Sequence, residues 1–89
     1  MIERELPILN RLGLHARATA KLVQTVSPFR CAATISAKGR EVNAKSIMGV
    51  MLLAAGQGTP VAVRIDGPDE AAAMDAVVSL FERRFDEDS

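Results

Sequence analysis

The sequence predicts an α+β domain in which helices cover one face of a four-stranded antiparallel sheet. Four short segments alternate apolar and polar residues, and three others carry helical periodicity. Turn residues separate them in the order β-α-β-β-α-β-α. Eighty-nine residues leave room for one modest core, hence a single domain over 1–89, with a frayed C-terminal 86–89.

Residues 2–9 read as the first strand, with Ile2, Leu6 and Ile8 on one face and Glu3 and Glu5 on the other. Pro7 brings no N–H to a ladder, so this strand belongs at a sheet edge or turns that position outward. Asn10 to Gly13 is a turn. From Ala16 to about Val26, the spacing of Ala16, Ala20, Val23 and Val26/Ser27 is helical, and Pro28 stops it. Cys31, Ala33, Ile35 and Ala37 alternate with Thr34 and Ser36. Lys38-Gly39 turns the chain back into Arg40–Ala44, with Val42 and Ala44 inward, which makes a hairpin. Ile47–Ala55 is a short helix with Ser46 as N-cap and Gly56 just past its end. Thr59–Asp66 alternates through Val61, Val63 and Ile65. Pro68 then opens a long helix whose acids suit its positive end, with Met74, Val77, Val78 and Phe81 as its apolar stripe and Arg83-Arg84 at its negative end.

Hydrophobic residues make up 48% and charged residues 25%, which excludes disorder as the default. No apolar run approaches the roughly 18 residues of a membrane span, and Met1–Glu5 lacks a signal-peptide core. One cysteine and one histidine supply neither a disulfide framework nor a structural metal site. The expectation is a cytoplasmic domain that needs no metal and no cofactor. Zero net charge conceals an asymmetry. Residues 1–64 hold nine Lys/Arg against three acids (9 − 3 = +6), and residues 65–89 hold two against eight (2 − 8 = −6). This favours acidic or anionic partners at one face and leaves the C-terminal segment solvated. The basic residues are scattered and there is no Trp or Tyr to stack on bases, so nucleic acid is disfavoured.

Gly13-Leu14-His15-Ala16-Arg17 puts a histidine between a glycine turn and a helix start. The first N–H groups of a helix lack internal acceptors and, with the macrodipole, favour anions. An imidazole there keeps a nitrogen lone pair available. A phosphoryl group accepted on it would meet the free N–H groups of Ala16 and Arg17, and the Arg17 side chain could add a charge-assisted contact. Gly13 allows close backbone approach and an unusual φ. The competing reading is a plain helix cap or a solvent-exposed histidine. Around Ser46, Ile47 to Leu53 is apolar except at Gly49, more than a two-turn helix can bury. Either Met48 and Met51 belong to a docking patch, or Val50, Leu53 and Ala54 are core and the remainder is incidental exposure. Gly49 costs the helix roughly 1 kcal/mol against Ala, pointing to close packing or to a weakly stable element. Ser46 is a plain N-cap or a regulatory phosphorylation site.

Two stretches together resemble the HPr family, the histidine-containing phosphocarriers of the bacterial phosphoenolpyruvate-dependent phosphotransferase system. They are Asn10-Arg11-Leu12-Gly13-Leu14-His15-Ala16-Arg17 and Ala44-Lys45-Ser46-Ile47-Met48-Gly49-Val50-Met51; Gln57-Gly58-Thr59 and Gly67-Pro68-Asp69-Glu70 also match. The resemblance implies an open-faced β-sandwich with strand order 1-4-2-3 and three helices on one face. It implies that phosphorylated enzyme I gives its phosphoryl group to Nδ1 of His15, which passes it to a IIA protein or domain. Arg17 is the stabilising residue, and Ser46 is the site of HPr kinase/phosphorylase. Ile47, Met48 and Met51 form the apolar part of the docking surface. Such a protein is a monomeric transfer intermediate without turnover of its own and engages neither membrane nor nucleic acid.

Three positions depart from the family pattern, in two ways. Ala18 stands where most members have proline, which implies a looser helix start with function retained. Gln24 and Ser27 replace lysines of many sugar-transport members, which weakens the electrostatic case for high partner affinity. It adds weight to the alternative, a nitrogen-related or purely regulatory branch of the system, leaving both branches open. An interaction module gated by Ser46 and a small RNA-binding domain are the alternatives from other classes. The first predicts that Ser46→Asp alters partner binding, and the second predicts steeply salt-dependent RNA affinity.

Overall fold

Val61, Val63 and Ile65 are buried in the strand that ends up inside the sheet, although it is the last in sequence. The computed structural model describes residues 1–88. Its strands are β1 (Ile2–Pro7), β2 (Ala32–Ala37), β3 (Arg40–Asn43) and β4 (Pro60–Asp66), and its helices α1 (Ala16–Val26), α2 (Ile47–Met51) and α3 (Glu70–Glu82). The sheet order is β1-β4-β2-β3 with every pair antiparallel, the expected 1-4-2-3 arrangement. β1 is an edge strand, as Pro7 requires. The sheet's outer face is polar, and Arg64 on β4 reaches Glu3 of β1 at 3.4 Å and Glu41 on β3 at 3.6 Å. These exposed pairs organise the face and add little stability.

The helices close the other face over Ile35, Val63, Ile65, Leu22, Val26, Val77, Leu80 and Phe81. Several sequence expectations are corrected in detail. β1 stops at Pro7, two residues early, while Ile8 beyond it is buried. The buried stripe of α1 is Ala18, Thr19, Leu22 and Val26, not Ala16, Ala20 and Val23, because Leu22 is the one large aliphatic side chain that can fill the core from this helix. Cys31 precedes β2 and is half-buried. α2 ends at Met51 instead of Ala55. The left-handed residue beyond it is Ala54 (φ +49), which is exposed, and not Gly56. Pro68 lies ahead of the Asp69 N-cap of α3, and the Glu70 carboxylate accepts the Gly67 N–H at 3.1 Å. Ala73 and Leu80 join the expected stripe of α3, and Val78 is only half-buried.

The largest difference is at the C-terminal end, expected to be frayed and solvated. Arg84–Asp86 form one tight turn in the left-handed region, with φ of +56, +54 and +61. Phe85 is fully buried there, its ring centroid 4.8 Å from that of Phe81. Asp86 pairs with Arg83 at 2.9 Å and with Lys21 on α1 at 3.3 Å. Ser89, part of the expected frayed segment, lies outside the described residues.

Candidate functional site

His15 is the N-cap of α1, with extended backbone at φ −75 and ψ −179. Gly13 makes that entry possible. Its φ is +69, and a Cβ built on it would lie 2.5 Å from the Ala55 carbonyl oxygen. The close approach that Gly13 permits is therefore to the segment after α2, where the Leu14 N–H donates to the Ala55 carbonyl at 2.9 Å. Leu14 is buried, and the Thr19 hydroxyl donates to its carbonyl at 3.2 Å, so the residue before His15 is held on both sides.

The imidazole is oriented at both nitrogens. Nδ1 accepts the Arg17 N–H at 3.3 Å, so its lone pair points at the helix N-terminus. Nε2 is hydrogen-bonded to the Glu87 carboxylate. With Nδ1 an acceptor, Nε2 carries the proton and donates it to Glu87. The ring keeps 25% of its side-chain surface exposed. His15 thus combines the two readings of the sequence: it caps α1, and it holds a lone pair at an anion-favouring helix end.

Glu87 is the residue that sequence reasoning missed, together with Asn10. The Asn10 amide, fully buried in the turn before Gly13, donates to the Gly13 carbonyl at 2.8 Å and to Glu87 at 2.9 Å. Burial works to raise the Glu87 carboxyl. The Asn10 amide, the His15 ring and the Arg17 charge outweigh it and hold the carboxyl below its ordinary value. Arg17 is exposed, as is Ala16. Leu12, Arg17, Lys21, Asp86, Glu87 and Asp88 line an open depression on this side of the molecule.

Ser46 is the N-cap of α2, its Oγ accepting the Gly49 N–H at 3.1 Å. Gly49 reflects close packing: a Cβ there would sit 3.2 Å from Ser46 Oγ and 3.5 Å from Val42 Cβ. Of the apolar residues that follow, Val50 and Leu53 are core. Ile47, Met48 and Met51 are exposed, Met48 at 80%, and Leu52, which the sequence reading left out, joins them. No helix among the described residues is long and apolar enough to cross a membrane.

Residues 2–83 match the family described as "PTS HPr component phosphorylation site". The chain belongs to the HPr family. The HPr of Xylella fastidiosa (strain Temecula1) is 68% identical over 89 residues, the whole of both chains. A crystal structure of HPr-C-His from Thermoanaerobacter tengcongensis covers all of both chains at a TM-score of 0.96 and 43% identity. An HPr dimer from the same organism has a TM-score of 0.78 at 44% identity, covering 98% of this chain and 100% of that one. HPr is a phosphocarrier of the phosphotransferase system, and the architecture of this chain is that of the solved HPr structures. Glu87 falls beyond the last residue of the family match.

Proposed function

We propose that His15 accepts a phosphoryl group on Nδ1 from phosphorylated enzyme I and passes it to a IIA protein or domain. The observation that carries this reading is the aim of the Nδ1 lone pair at the start of α1. When Nδ1 attacks phosphorus, the Arg17 N–H that it now holds can turn onto a phosphoryl oxygen. The Ala16 N–H, in the same first turn, has no intrahelical acceptor and offers a second donor. Phosphorylation adds a charge of about −2, which the helix N-terminus and the exposed Arg17 guanidinium stabilise. Partial exposure of the ring suits a group handed between partners in short-lived encounters.

On this reading the protein is a carrier, cytoplasmic and monomeric, with no turnover of its own. Ile47, Met48 and Met51 are the apolar part of the docking surface, their exposure leaving them available to a partner. Ser46 is the regulatory position for a kinase of the HPr kinase/phosphorylase type. A phosphate on its Oγ, which caps α2, would place a charge of about −2 beside those docking residues, at a helix N-terminus that favours it. The regulatory branch is favoured by one observation, the lack of any basic side chain in the last turn of α1. It predicts that Ser46→Asp alters partner binding in the cell while His15→Ala changes little.

Incubation with phosphoenolpyruvate and enzyme I tests the carrier reading. The wild-type chain should gain the mass of one phosphate, labile to acid and stable to alkali, and His15→Ala should gain none. Equal labelling of the variant would overturn the assignment.

A further inference from the structure

We propose that Glu87 is a positioning residue for phosphoryl acceptance: its carboxylate holds the proton of His15 on Nε2, orients the ring, and stabilises the positive charge the ring acquires. The proposal rests on the carrier reading, which it deepens. In the acceptance step the Nδ1 lone pair forms the new bond to phosphorus. The bond from phosphorus to the donor breaks, and its electron pair leaves with the donor. The imidazole becomes an imidazolium whose charge is shared with Nε2–H, the group that Glu87 accepts. A carboxylate behind an imidazole fixes the tautomer and stabilises the imidazolium as it forms, as in hydrolytic triads.

Two further observations show that this contact is built into the fold. Asn10, fully buried, donates to the second oxygen of Glu87, so both carboxylate oxygens have a designated partner. The backbone that delivers Glu87 is costly. Three successive non-glycine residues, Arg84, Phe85 and Asp86, lie in the left-handed region. Such a residue is disfavoured by its own Cβ and persists only where surrounding contacts over-determine it. Those contacts are the burial of Phe85, the pairing of Asp86 with Arg83 and Lys21, and the bonds of Glu87 itself.

Glu87→Gln separates position from charge. A glutamine keeps the shape but puts an NH2 donor where one of the two carboxylate oxygens stood, so Asn10 or His15 loses its acceptor, and the neutral amide cannot offset an imidazolium. The full chain and its Glu87→Gln and Glu87→Ala variants are compared in two measurements. Nitrogen NMR of His15 should show a hydrogen-bonded Nε2 proton in the wild type that is lost or shifted in both variants. The initial rate of labelling by enzyme I and phosphoenolpyruvate should fall about tenfold in both, the worth of one charge-assisted hydrogen bond. The final extent should stay at one phosphate per chain. Variant rates within about twofold of wild type would overturn the positioning role while leaving the carrier reading intact. An unchanged His15 nitrogen spectrum in Glu87→Ala would overturn the contact itself. Failure of the wild type to be labelled would overturn both readings.

Discussion

Ser46 and Gly49 form one unit at the start of α2: the serine Oγ accepts the glycine N–H at 3.1 Å, and it lies 3.2 Å from where a Cβ on that glycine would sit. The cap and the missing side chain depend on each other. Ser46→Ala should destabilise the protein by about 1 kcal/mol, the usual worth of an N-cap. Gly49→Ala alone should fall short of the roughly 1 kcal/mol that alanine gains over glycine in a helix, because its methyl group presses on Ser46. In the Ser46→Ala background, Gly49→Ala should recover more of that gain. A double-mutant cycle by urea denaturation measures the difference, and strictly additive effects would refute the coupling.

Gly13 is where sterics and function meet. Any side chain at φ +69 is strained, and a Cβ would also meet backbone atoms of Ala55 and Gly56 at 2.5 and 2.7 Å. Backbone cannot swing aside as a flexible side chain can. Gly13→Ala should therefore cost about 2 kcal/mol or more in chemical denaturation, with His15 displaced from the start of α1. A variant as stable as wild type would show that the turn adapts freely.

The site was legible in the sequence where its chemistry is local. His15, Arg17 and Ser46 could be placed at helix starts because a turn glycine or a capping residue marks each start within a few positions. The hairpin at Lys38-Gly39 was readable for the same reason, and both residues do adopt positive φ, +55 and +78. The phase of α1 was harder, since alanines at 16, 18 and 20 fit either a buried or an exposed face and only packing decides among them. Glu87 was not legible. It lies 72 positions from His15 and sits in an acidic run that reads as a solvated tail. It is delivered by a left-handed turn with no glycine or asparagine to announce it. What fixes that turn is the burial of Phe85, a tertiary fact that local sequence patterns do not carry.

Acid should loosen the C-terminal turn first. Burial acts to raise the Glu87 carboxyl, but its partners win, so it titrates below its ordinary 4.5. Asp86 is also lowered, chiefly by the hydrogen bond from Arg83, and Glu70 chiefly by the one from the N-terminal amine. A carboxyl lowered in the folded state contributes stability that is fully present above its unfolded value and lost as pH falls through the folded one. Stability should then decline on going from about pH 6 to about pH 3, and less steeply in Glu87→Gln. The N-terminal amine, raised above its ordinary 8.0 mainly by Glu70, works in the opposite sense: its contribution is present below that value and lost at higher pH. Denaturation curves from about pH 3 to about pH 10 check both arms. An identical acid slope in Glu87→Gln and wild type would show that Glu87 contributes nothing to it.

Met48 separates docking from folding. It is 80% exposed on α2, two positions before the fully buried Val50, so its side chain contributes little to the core. Met48→Ser should therefore change stability by no more than about 0.5 kcal/mol. If the exposed face of α2 receives partner proteins, the same change should slow phosphoryl acceptance at low enzyme I concentrations, where encounter limits the rate, and matter less at saturation. The reason is that a flexible apolar side chain contributes to binding by the surface it buries against the partner, not by touching the reacting atoms. Val50→Ala provides the contrast. It opens space in the core and should lower stability measurably, leaving the exposed face of α2 chemically unchanged. A Met48→Ser protein labelled at wild-type rates across all enzyme I concentrations would move the docking surface off this helix.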